Sequence, residues 1–188
     1  MKKLIILLTA LLLCLPALAE TVPPEDAPAT LALPPFVITL PTDVVLADAT
    51  PEDSSVTVVH GNGATRVVAM VLSRVPDEKG DHAAELERLM GQFAPMSTDY
   101  MHLELAPGFH GLMAVTPGAL EGAQGQKVDQ VTVMVLWQTA MRGELLILSG
   151  YDMEGETART QTMLNMLLRC CTVSDAPIVP RETDKPEP

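Results

Sequence analysis

The sequence predicts an α+β fold: an α/β/α sandwich with a central, mostly antiparallel sheet flanked by two main helices. Three observations carry this. Thr65–Arg74 and Gln130–Thr139 are apolar on both strand faces, so each needs cover on two sides. Two other segments repeat apolar residues at helical spacing. Glycine-bearing turns, Gly61-Asn62-Gly63 and Met141-Arg142-Gly143, join strands as hairpins.

In chain order, Phe36-Val37-Ile38-Thr39-Leu40 is a short opening strand stopped by Pro41, and Val44-Val45-Leu46 is a second. Ser55–His60 and Thr65–Arg74 pair across Gly61-Asn62-Gly63, with Val67, Ala69 and Val71 on one face and Val68, Met70 and Leu72 on the other. Asp81 caps a helix running to Phe93, whose stripe is Leu86, Leu89, Met90 and Phe93. Tyr100–Leu105 and Phe109–Thr116 are strands joined near Pro107-Gly108, followed by a flexible stretch from Pro117 to Gln126. Gln130–Thr139 and Glu144–Tyr151 form a hairpin. A helix from Gly155 to Cys170, with Met163, Met166, Leu167 and Cys170 inward, closes the domain.

The ends differ in kind. Residues 1–19 have the form of a cleaved signal peptide: Met1-Lys2-Lys3, an uncharged run from Leu4 to Leu15, then Ala17-Leu18-Ala19 before Glu20. Twelve apolar residues fall short of a membrane span. Leu13 before Cys14 makes a poor lipidation site, so a lipid anchor at Cys14 is not expected. Residues 20–35 are a Pro-rich linker, 36–174 a single domain, and 175–188 a disordered acidic Pro-rich tail.

The 188 residues carry a net charge of −12, from 12 basic and 24 acidic side chains. Loss of Lys2 and Lys3 with the leader leaves ten against 24, a net −14. Such a balance excludes unassisted binding to nucleic acid, and six aromatic residues are too few for a stacking platform. The expected location is periplasmic or secreted, with no transmembrane span in the mature chain.

Candidate chemistry is sparse. His82 and Glu85 lie three apart beside Asp81, but zinc needs three or four ligands and this turn reads as an exposed polar one. His102 and Glu104 share a polar strand face, an acid/base pair without a nucleophile. Simple pairing about Pro107-Gly108 sets His110 opposite Leu105, away from them. Cys170-Cys171 reads as buried unpaired thiols, because a vicinal disulfide holds its Cα atoms closer than the usual range. Met163, Met166, Cys170 and Cys171 form a soft-ligand cluster for copper(I), or core filler; the stripe they occupy favours core. Gly125-Gln126-Lys127-Val128 fails as a phosphate loop because a strand follows it. No catalytic residue, cofactor site or resident metal is assigned.

Several strings resemble the exported DcrB-type proteins of the Mog1/PsbP-like group. They are Phe36-Val37-Ile38-Thr39-Leu40-Pro41, the helix from Ala83 to Phe93, Leu103-Glu104-Leu105-Ala106-Pro107-Gly108-Phe109-His110, the hairpin with Leu145-Leu146-Ile147-Leu148, and the helix from Thr157 to Leu168. The resemblance covers about Phe36 to Val173 and implies the α/β/α sandwich, in a group whose members mostly bind other proteins. DcrB-like members are envelope proteins linked to phage adsorption, and they bring no catalytic set. That type is commonly a lipoprotein, which Leu13-Cys14 does not suit. The leading expectation is a non-catalytic periplasmic accessory protein with an envelope protein partner. The alternatives are a small-ligand or copper(I) binder using the Met/Cys cluster, and a hydrolase using His102 and Glu104.

Overall fold

The computed structural model describes residues 28–49, 55–74, 80–97, 99–139 and 141–180. The expected signal peptide, Cys14, the first part of the expected Pro-rich linker and residues 181–188 of the expected tail lie outside the described residues.

Seven strands form one antiparallel sheet: β3 (Val44–Ala49), β4 (Ser55–His60), β5 (Thr65–Arg74), β6 (Tyr100–Leu103), β7 (Phe109–Glu121), β8 (Lys127–Gln138) and β9 (Gly143–Asp152). Their spatial order is β3-β4-β5-β9-β8-β7-β6, so the two strands apolar on both faces, β5 and β8, flank the central β9. Helix α1 (His82–Phe93) covers one face and α2 (Thr157–Arg169) the other.

On the α1 face, Leu86, Leu89 and Met90 pack against Leu112, Ala114, Met134, Leu136, Leu145 and Ile147. On the other face, Met163, Leu164, Leu167 and Leu168 pack against Val67, Ala69, Val131, Val133, Leu146 and Leu148. The alternation read from β5 and β8 therefore sorts their side chains into two separate cores.

The α2 layer holds more than a helix. β1 (Thr30–Leu33), β2 (Phe36–Thr39), β10 (Cys171–Val173) and β11 (Ala176–Pro177) make a second, four-stranded sheet in the order β1-β2-β10-β11. The expected domain limits of 36–174 are thus too narrow. Leu31 and Leu33 are buried before the expected start, and Ile178 is buried after the expected end. The cause is the short alternation Thr30-Leu31-Ala32-Leu33, which pairs antiparallel with β2 and delivers every second side chain to the core.

Other local expectations shift. β7 continues into the stretch expected to be flexible, as far as Glu121, with an irregularity between Thr116 and Leu120. There the amide of Gly118, at φ +58°, donates to Asp129 Oδ1 at 3.0 Å. Phe93 does not join the α1 stripe; it lies in the last turn and is 41% exposed. The α2 stripe is rotated to Thr160, Met163, Leu164, Leu167 and Leu168, leaving Met166 and Cys170 half-buried.

Candidate functional site

Asp81 caps α1 as the sequence predicts, its Oδ1 accepting from the Ala84 amide at 3.1 Å. Glu85, one turn in, is an anchor between two guanidinium groups: it accepts from Arg74 on β5 and from Arg88 at 3.0 and 3.1 Å. The bond from Arg88 is the largest influence holding its carboxyl below the usual range, with Arg74 adding to it. Glu85 is thus committed to ion pairing, and the His82–Glu85 pair does not form a ligand set.

His82 meets His110 instead, with ring centroids 4.7 Å apart. The β6–β7 register is Tyr100↔Ala114, Met101↔Met113, His102↔Leu112 and Leu103↔Gly111. This overturns the simple pairing that set His110 opposite Leu105. Residues 104–108 form a wider connection, and His110 falls on the α1 face together with His102. Gly111 permits the close approach, since a Cβ there would lie 2.6 Å from Leu105 Cδ1. Partial burial, with His82 adding to it, pushes the His110 imidazole below its ordinary value.

His102 pairs with Glu87 on α1, Nε2 to Oε1 3.2 Å, and not with Glu104. His102, Glu104 and His110 line one shallow cavity of about 260 Å³. Among the described residues, no three His, Cys, Asp or Glu side chains group as metal ligands.

The Met/Cys set is divided along α2. Met163 and Met166 line a cavity of about 330 Å³ with Asp43 and His60, whose side chains pair at 3.0 Å. Cys170 follows the helix, and Cys171 opens β10, fully buried opposite Ile38. From Met163 to Cys170 the helix rises roughly 10 Å. Both cysteines are free thiols. Burial pushes the Cys171 thiol up to about 12, so it keeps its proton and is a poor soft ligand.

The Gly125 turn is a β7–β8 hairpin connection with φ +77°, and Lys127 begins β8 opposite Glu121. Two buried acids were not singled out from the sequence. Asp152 accepts from Thr65 Oγ1 at 2.8 Å and from the amides of Glu154 and Glu156 at 2.9 and 3.3 Å. Glu144 accepts from Ser73 at 2.8 Å and Arg142 at 2.9 Å. Both are absorbed in holding strands and turns together.

An apolar groove of about 530 Å³ lies beside β6. Met96, Met101, Met113 and Val115 line it, with Asp99 at its rim and Gln161 of α2 across from it. Met96 is 73% exposed and Met101 60%. Of its lining, the alternation Met101-His102-Leu103 accounts in the sequence for Met101 alone; Met96, in the preceding loop, carries no such signal.

No protein-family model and no curated protein sequence matches the chain. Among solved structures, LpqN of Mycobacterium tuberculosis, described as involved in cell envelope biogenesis, matches at a TM-score of 0.50. It is 12% identical, over 79% of this chain and 86% of LpqN. The chain has the fold of LpqN. That fold is the α+β arrangement expected above, two helices on a large antiparallel sheet. A Mog1 point mutant aligns at 10% identity and a TM-score of 0.47, over 79% of this chain and 95% of that one. The Saccharomyces cerevisiae Ran-binding protein Mog1p aligns at 9% and 0.46, over 79% and 96%. The narrower DcrB resemblance rests on the sequence strings alone. No helix among the described residues is long and apolar enough to cross a membrane.

Proposed function

We propose that the chain is an exported, non-catalytic accessory protein that acts in the cell envelope, in the periplasm or outside it, by binding another protein. The groove beside β6 carries this reading. Met96 and Met101 expose flexible, polarizable side chains next to a concave apolar surface, a combination suited to contact with another protein. The described polar clusters are internally paired and serve the scaffold. The leader-like first nineteen residues and the envelope role of the fold neighbour LpqN support the location.

The test is photo-cross-linking in intact cells from a reactive residue placed at Met96, with Val45 on the opposite sheet edge as control. A discrete protein adduct from position 96 and none from 45 is expected. Absence of any adduct from position 96 in several growth conditions refutes the reading.

A further inference from the structure

The free edge of β6 adds a second fact to the groove. β6 is the last strand of the seven-stranded sheet. Its described backbone partners are those of β7; no other described segment bonds to Tyr100–Leu103 through the backbone. An open edge exposes unpaired N–H and C=O groups that template a further strand, and edges are ordinarily blunted by lysine, proline or a bulge. The opposite edge, β3, has such an irregularity between Leu46 and Asp48. β6 is short, at four residues, but it is regular over its length and contains neither lysine nor proline.

We infer that β6 accepts an extended segment of a partner protein as an eighth strand, and that this segment alternates apolar and basic side chains. The inference rests on the protein-binding reading above and specifies its chemistry. Side chains of an added strand point alternately to the two faces of the sheet. On the α2 face they meet Met101 and the groove, which select apolar groups. On the α1 face they meet the exposed carboxylates of Glu87, which already pairs with His102, and of Glu104, whose lack of an ion-pair partner among the described residues selects lysine or arginine. Asp99 at the groove rim adds a third exposed carboxylate. Asp99 and Glu104 form no salt bridge with a described residue. A second copy would bring the same exposed carboxylates, on a chain of net charge −12, to this edge, so the occupant is a different, basic chain. The mode is β-strand addition, in which backbone bonds supply affinity and alternate side chains supply selection.

The experiment uses the full chain as purified from cells and a blocked hexapeptide of alternating valine and lysine. Hydrogen exchange at Tyr100–Leu103 should slow on saturable peptide binding. Affinity should fall about tenfold or more when lysine is replaced by glutamate, or when alternate peptide amides are N-methylated. Met101→Arg, at an exposed position that folding tolerates, should weaken binding similarly. Equal binding of the lysine and glutamate peptides, or unchanged exchange at β6, overturns the inference. So does protection of β6 that grows with protein concentration alone, which would assign the edge to a second copy. A partner cross-linked from Met96 whose binding leaves β6 exchange untouched removes strand addition while leaving the protein-contact reading standing. No adduct from Met96 removes both.

Discussion

Replacing Gly150 by alanine should destabilise the protein although the backbone there suits any residue. Gly150 lies in β9 between Val67 and Val131, under α2. An added Cβ would sit 2.8 Å from Val67 Cγ2, 2.9 Å from Arg66 O and 3.1 Å from Thr160 Cγ2. The Arg66 carbonyl belongs to the neighbouring strand and cannot retreat without breaking the ladder. Overpacking of this kind costs about 1–3 kcal/mol, and a backbone neighbour places this site toward the upper end. Lower unfolded-state entropy returns about 0.4–1 kcal/mol. The net expectation is a loss of roughly 1.5–2.5 kcal/mol by the same principle, read as a lower urea midpoint at unchanged slope. Gly91→Ala is the control, because its Cβ meets only Tyr100 Oη at 3.7 Å. In a helix interior that change should stabilise by up to about 1 kcal/mol. A Gly150→Ala protein as stable as the parent would refute the claim that α2 is seated by this close approach.

Three further outcomes are expected. Asp152→Ala strands the Thr65 hydroxyl and two amides, at a cost of about 3–5 kcal/mol in urea unfolding, with Asp152→Asn intermediate; a loss below about 1 kcal/mol would contradict the geometry. His110 titrates below its ordinary value in the fold, so the unfolded chain takes up that proton first and stability falls as pH drops through about 6.5, levelling below the folded value. His82→Asn should lessen that acid slope, and an NMR titration placing His110 above the ordinary value would reverse the sign. Anaerobic copper(I) titration should show no stoichiometric site that Met163→Leu with Met166→Leu abolishes; such a site would restore the soft-ligand reading.

The sheet was legible wherever burial on both faces left a mark. β5 and β8 read as central because their polar positions are few, and both flank β9. The Asp81 cap was legible for the same local reason: the residue type and its offset suffice. Four-residue β1 was not, since two leucines among prolines resemble a linker until a partner strand gives them register. The His110 placement failed because turn length sets register, and residues 104–108 make a wider turn than Pro107-Gly108 alone suggests. The groove was hidden more deeply. Met96 and Met101 become neighbours of Met113 and Gln161 only through the tertiary fold, and no local period encodes that meeting.

The small sheet also fixes when the fold can be finished. β2 lies near the start of the described chain and β10 near its end, yet the two pair directly, with Thr172 against Val37 across 135 residues. Each doubling of a closed loop adds only about 0.6 kcal/mol of entropy cost, so the equilibrium penalty is modest. The temporal consequence is larger. β2, which carries Phe36 and Ile38, cannot pair with β10 until residues 171–173 have emerged, which makes completion of this core a late event. For a chain exported as proposed above, this clasp between β2 and β10 closes only after Cys171–Val173 has crossed.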